Sequence, residues 1–202
     1  MLTSSTPNAQ SSLRSDLRKR RRQLDYFQQH HAATRLCRIL PFTRAWQGAK
    51  RIAFYQATGG EIDPTQLFRA ALRRGKQCFL PVLHPFKANR MLFVRVRANT
   101  PLQLNRWGIP EPVPRTGQTV HARLLDLVLV PLVGFDRQGH RIGMGKGYYD
   151  RTFAFRQQLK KRPLLAGLAH DCQRVEQGIE PSAWDVRMDV IFTPSGRVHA
   201  LQ

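Results

Sequence analysis

PLVGFDRQGHRIGMGKGYYDR, residues 131–151, is the stretch whose reading decides the fold. It is fed by the apolar run Leu127 to Val133, whose branched side chains suit a buried strand. Asp136 and a turn at Gly139 follow. Then come Gly143-Met144-Gly145-Lys146-Gly147, and Tyr148, Tyr149, Asp150 and Arg151 open a helix. Strand, glycine loop and helix start, in that order, make a site for an anion. Glycines let the backbone approach closely and aim successive N–H groups at one ligand. The helix start adds the positive end of its dipole. Lys146 adds a mobile ammonium, and Asp150 a carboxylate able to hold a divalent cation that bridges phosphate oxygens.

The spacing separates this loop from two others. G-x-G-x-G is not the dinucleotide G-x-G-x-x-G, and no Ser or Thr follows Lys146 as in a Walker A loop. The glycines alone fit a plain strand-to-helix connection equally well. A plain connection has no use for a lysine, an acid and an arginine side by side.

Upstream, Arg51 to Ala57 is a strand broken by Thr58-Gly59-Gly60. Asp63-Pro64 opens a helix as N-cap and N1, which runs to Arg74 and ends at Gly75. Gln77 to Leu83 is the next strand. The unit is β-α-β, hence parallel and right-handed. Glu61 falls just past the carboxyl end of its first strand, where open α/β sheets bind ligands. The alternative for a lone loop glutamate is solvent. Met91 to Val96 is a further strand, leaving the main sheet in a hairpin. Asn105 to Pro114 is a rigid, proline-rich loop. Its Trp107 either packs beneath the loop or forms an aromatic wall for a flat ligand.

Downstream, a helix runs from Tyr148 to about Lys161 and a strand from Leu164 to His170. Asp189 starts a last strand, Val190 to Thr193. His170 reads as a hydrogen-bonded strand end rather than a catalytic base. The expected fold is a three-layer α/β/α sandwich with a mostly parallel, Rossmann-like central sheet and one added hairpin or small sheet. One domain spans 1–202, with residues 1–10 frayed.

At the start, Ser11 or Ser12 caps a helix to about His31, and a second helix covers Ala32 to Leu40. Arg14, Arg18 and then Arg21 or Arg22 recur at i, i+4 and i+7/8 and share one face. Such basic faces are usually solvated. The whole chain carries a net charge of +20, from 33 Lys and Arg against 13 Asp and Glu. That charge attracts polyanions, small phosphate- and carboxylate-rich ligands or nucleic acid. No zinc-finger, RNP or homeodomain pattern is present, but charge alone does not exclude RNA. The three cysteines are scattered without C-x-x-C spacing, which argues against a zinc site and for a reducing, cytoplasmic setting. No apolar run approaches the ~20 residues of a membrane span, and no signal-peptide core is visible.

R-I-G-M-G-K-G-Y-Y-D-R, preceded by P-L-V-G-F-D, resembles the signature of the 5-formyltetrahydrofolate cyclo-ligase (5,10-methenyltetrahydrofolate synthetase) family. The resemblance extends to the basic N-terminal segment, G-G-E-I-D-P, F-L-P-V-L-H-P, W-G-I-P-E-P and H-D-C-Q, and so covers nearly the whole chain. It implies ATP-dependent cyclisation of 5-formyltetrahydrofolate, with ATP as co-substrate and Mg²⁺ as metal. It implies nucleotide contacts from Arg14, Arg18, Arg141, Gly143, Met144, Gly145, Lys146, Gly147, Tyr148 and Tyr149, with Lys146 and Arg151 neutralising transferred charge. Substrate contacts would come from Tyr55, Glu61, Trp107, Glu111 and Tyr149, although one of the paired tyrosines fits a core role equally well. Asp150 and Asp189 would hold the metal. A polyglutamylated folate would use the basic surface, and the protein is expected to be a monomer. Competing readings are another ATP-using kinase or ligase on the same sheet, a basic RNA-binding module, and an inactive folate-binding relative.

Overall fold

The computed structural model describes residues 7–114, 117–157 and 162–199. Its helices are α1 (Pro7–Arg22), α2 (Tyr26–Ile39), α3 (Arg44–Gly48), α4 (Thr65–Arg73) and α5 (Tyr148–Phe153). Its strands are β1 (Arg51–Ala53), β2 (Gln77–Leu83), β3 (Met91–Val96), β4 (Leu102–Leu104), β5 (Pro110–Pro112), β6 (Thr119–Val120), β7 (Leu127–Pro131), β8 (Gly134–Phe135), β9 (Arg141–Ile142), β10 (Leu164–Leu168), β11 (Val190–Thr193) and β12 (Gly196–His199). Eight strands form one sheet in the order β12-β11-β10-β7-β1-β2-β3-β6. The inner strands β11, β10, β7, β1 and β2 are parallel, β12 pairs antiparallel with β11 at one edge, and β3 pairs antiparallel with both β2 and the edge strand β6 at the other.

Period-two alternation sorts the side chains of these strands between two faces. Ile52, Leu127, Leu129, Ala166 and Phe192 meet Leu36 of α2, Trp46 of α3 and Leu67 of α4. Ala53, Val128, Val130, Leu165 and Ile191 point the other way, toward Phe153 of α5 and Met188. Both faces are covered, as parallel sheets require. The three-layer expectation stands.

α1 belongs to neither layer. Its Leu13 and Leu17 pack with Val133, Ile142, Val175 and Ile179, over the β8–β9 hairpin past the carboxyl end of β7. This small third core brings the N-terminal arginines to the carboxyl edge of the sheet.

Several boundaries differ from the sequence expectation. The first helix starts at Pro7 rather than at a serine cap, and it stops at Arg22 rather than His31. The break is a capping box. Asp25 accepts from the Gln28 amide, and the Gln28 side chain accepts from the Asp25 amide, so a new helix starts at Tyr26. Residues 1–6 lie outside the described residues. The helix after Pro64 starts one residue late, at Thr65, whose amide and hydroxyl both donate to Asp63. β3 stays in the main sheet, and the separate small sheets are β4–β5 and β8–β9. α5 gives way to a 3-10 turn, Ala154–Gln157, and its expected continuation at 158–161 lies outside the described residues. The terminal strand β12 was not foreseen.

Candidate active site

The glycine loop leaves β9 and climbs to exposed Met144, Gly145 and Lys146. Gly145 and Gly147 have φ of 85° and 65°, a region that L side chains avoid. Among the described residues, no backbone N–H from Gly143 to Gly147 donates to a protein acceptor. The carbonyl side, by contrast, is covered by arginines. Arg14 Nε donates to Gly143 O at 2.9 Å, and Arg151 Nη1 to Lys146 O at 2.8 Å. Carbonyls are tied inward and amides left open, so the loop is a donor set for an anion. The expected helix dipole adds less than the sequence implied, because α5 has only six residues.

Arg14 is the first of three arginines on one face of α1. Arg18 follows one turn on, half-buried. Arg21 is 2% exposed. Its Nε donates to Gly59 O at 3.1 Å and its Nη1 to Leu132 O at 3.0 Å, tying the turn after β1 to the chain just past β7. Its Nη1 also lies 3.7 Å from Glu61 Oε1. The arginine face therefore runs from the glycine loop to the buried glutamate.

Glu61 is not a solvated loop residue. Its side chain is 7% exposed, and it accepts the Thr58 amide at 3.1 Å. Burial raises its pKa, while the Thr58 amide and Arg21 work in the opposite direction. Tyr55 donates its hydroxyl to Ile62 O at 2.6 Å. Burial, then the Glu61 charge, then Tyr149 hold the Tyr55 phenol well above its usual range. Tyr149 is likewise pushed up by burial and by Glu61, and its ring stacks on Phe153 at 6.2 Å. One carboxylate thus shares a recess with two neutral phenols.

Trp107 is 43% exposed, so it is not a core residue. At the turn between β4 and β5 it meets Tyr148 edge-on, with ring centroids 5.7 Å apart. The Arg106 guanidinium sits 4.3 Å over the indole and donates to the Tyr148 hydroxyl. Glu111 accepts from Asn105, whose own side chain accepts the Trp107 and Ile109 amides. It braces the turn that carries Trp107.

The acids and Arg141 depart from expectation. Arg141 is 5% exposed on its side chain and donates to Asp150 Oδ1 at 2.6 Å and to the Val186 carbonyl. The Val186 amide returns to the same Asp150 oxygen at 3.0 Å. Arg141 locks the start of α5 to the loop before β11 and is not free to meet a phosphate. Asp189 stands at the amino end of β11, whereas the loop and Glu61 lie past carboxyl ends. Its two oxygens take Arg156 Nη2 at 2.7 and 2.8 Å, and Oδ2 also takes the Leu165 amide at 2.6 Å. Both oxygens are occupied, so Asp189 does not fit a shared cation site with Asp150 as the side chains stand. Among the described residues, no three His, Cys, Asp or Glu side chains converge as a metal would need.

Residues 6–194 match the 5-formyltetrahydrofolate cyclo-ligase family. The chain belongs to that family. It is 38% identical to the 5-formyltetrahydrofolate cyclo-ligase of Escherichia coli K12, over 89% of this chain and 97% of that one. It is 37% identical to the Haemophilus influenzae protein of the same name, over 86% and 91% of the two chains. The solved 5,10-methenyltetrahydrofolate synthetase of Aquifex aeolicus superposes with a TM-score of 0.80 at 30% identity, covering 96% of this chain and 93% of that one.

For this cyclo-ligase family member, two site residues, Arg21 and Gln173, went unassigned in the sequence, while His170 is the hydrogen-bonded strand end expected of it. Arg21 was not told apart from Arg22. The signal was there, because Leu13, Leu17 and Arg21 continue one stripe at i, i+4 and i+8. Gln173 donates to Leu132 O and Val133 O and accepts the His170 amide. His170 bonds Gly60 O through Nε2 at 3.1 Å, and its other ring nitrogen accepts the Gln173 amide. The imidazole is therefore neutral and structural, a brace under the Thr58–Glu61 turn.

Proposed function

We propose that this protein cyclises 5-formyltetrahydrofolate to 5,10-methenyltetrahydrofolate, consuming ATP and releasing ADP and phosphate. The chemical obstacle is a poor electrophile. The N5-formyl group is an amide, its carbon is deactivated by resonance, and its oxygen leaves badly. Transfer of the γ-phosphoryl group to that oxygen turns it into a phosphate leaving group. N10 of the same molecule then attacks the activated carbon and phosphate departs. No protein nucleophile is needed, so positioning and charge neutralisation carry the catalysis.

The observation that carries this reading is that one helix face touches both halves of the site, through Arg14 at the open loop and Arg21 at Glu61. The amides of Gly143, Gly145 and Gly147 receive phosphate oxygens. Lys146 and Arg151 neutralise charge on the transferred group, and Arg18 faces the nucleotide between the two ends. Glu61, flanked by Tyr55 and Tyr149, holds the folate, and Trp107 with Tyr148 walls its ring system. A cation bound with ATP would supply Lewis-acid charge. Asp150 is the acid beside the loop, and the Asp189 geometry gives no support for a second ligand. The fold is one domain acting in the cytoplasm. Incubation with 5-formyltetrahydrofolate, ATP and Mg²⁺ tests the reading. Methenyl-folate absorbance should rise with one ADP per product, and ADP release without methenyl-folate would contradict it.

A further inference from the structure

The Thr58-Gly59-Gly60 turn is shaped around an arginine. Gly59 and Gly60 have φ of 56° and 82°. A Cβ added at Gly59 would lie 3.6 Å from Arg21 Nη2, and one at Gly60 would lie 3.4 Å from Arg21 O and 3.7 Å from its Cγ. The turn wraps Arg21 closely and accepts its Nε through Gly59 O. Glu61, the next residue, then falls beside the same guanidinium. Two carbonyls, Gly59 O in this turn and Leu132 O just past β7, fix the guanidinium plane before any ligand arrives.

We infer that Arg21 is a positioning residue for substrate binding: clamped by the Gly59 and Leu132 carbonyls, it sets the orientation and charge of the Glu61 carboxylate. The inference rests on the reading of Glu61 as the folate contact. It deepens that reading by naming the group that keeps a buried acid ready to accept from substrate N–H groups. Burial raises the pKa of this carboxyl and Arg21 works against it, so without that cation the carboxyl would keep its proton to a still higher pH.

The charges facing Glu61 come from every side. Arg21 approaches from α1, with Arg18 and Arg22 behind it. Tyr55 follows β1, Tyr149 stands on α5 with Arg141 beside it, and Asp63 lies two residues on. His170, with Asp171 next to it, closes the side beyond β10. Arg21 is the cation that acts on Glu61 in this set. Because it rides on the helix that carries Arg14, the recess is complete only when α1 is docked.

The test uses R21Q, which keeps amide donors for the two carbonyls and drops the charge. The Glu61 carboxyl is titrated by carbon NMR in the ligand-free protein, its signal identified by its loss in E61Q. Binding of 5-formyltetrahydrofolate is measured separately across pH without ATP. In R21Q the Glu61 titration should move up by about one pH unit or more. Folate affinity at neutral pH should fall about tenfold or more, with the acidic limb of binding moving up alongside. An unmoved titration overturns the inference whatever the folate does. A moved titration with unchanged folate affinity overturns it while leaving the cyclo-ligase reading intact. A parent protein that binds no folate at any pH sinks the reading beneath it. Should R21Q fail to fold, R21K keeps the charge without the planar fork. It should retain the parent titration and lose several-fold in folate affinity, and undiminished affinity would again overturn the inference.

Discussion

Arg14 Nε donates to the carbonyl of Gly143 at 2.9 Å across a separation of 129 residues. This bond turns a flexible glycine run into a loop with one open face. Removing it in R14A should raise the ATP KM about tenfold or more, the ~1.5–3 kcal/mol of a charge-assisted hydrogen bond. Folate affinity measured without nucleotide should hardly change. Steady-state kinetics with each substrate varied in turn checks both halves.

Lys146 is exposed at the loop tip. K146A should leave the melting temperature unchanged and lower kcat/KM by roughly 2–4 kcal/mol of transition-state stabilisation, by analogy with loss of an oxyanion donor. Unchanged turnover would remove Lys146 from the mechanism.

Any side chain at Gly147 is costly. Its φ is +65°, and a Cβ there would lie 2.5 Å from Arg151 Nη1. G147A should cost about 1–2 kcal/mol from the left-handed backbone alone. It should also drive Arg151 off Lys146 O and cut activity. Chemical denaturation beside the folate assay separates the two effects.

His170 governs a pH window. Burial lowers its pKa below the ordinary 6.5, so the unfolded chain binds a proton that the native imidazole refuses. A depressed group contributes stability above its unfolded pKa and loses it as pH falls through the folded one. Stability should therefore decline as pH drops below about 6.5. Glu61 acts in the opposite sense, its raised pKa costing stability as pH rises from 4.5. The melting-temperature difference between the parent and H170Q, followed against pH, isolates the histidine. It should shrink on acidification.

Asp189 is engaged by Arg156 and the Leu165 amide. D189A loses the Arg156 pair and the Leu165 amide contact, and should destabilise the protein by about 1–3 kcal/mol. The Mg²⁺ concentration giving half-maximal activity should stay at its parent value. A large rise in that concentration would make Asp189 a ligand after all.

The layers were legible because apolar runs such as Leu127–Pro131 and the β-α-β spacing are local signals. The glycine loop was legible for the same reason. What escaped was set by distant partners. Whether Asp189 faces a metal depends on Arg156, 33 residues away. Which of five consecutive basic residues enters the core depends on Leu132 O, 111 residues from Arg21. The helix break at Asp25 was written locally as D-x-x-Q, but continuous basic and apolar periodicity masked it. Two-residue strands such as β6, β8 and β9 carry too short a pattern to see.

Phosphoryl activation fixes where the formyl oxygen goes. Substrate carrying ¹⁸O in the N5-formyl group should, with ATP and the parent enzyme, yield inorganic phosphate bearing the label in each turnover. Methenyl-folate formed with unlabelled phosphate, the ¹⁸O appearing in water instead, would contradict phosphoryl transfer to that oxygen.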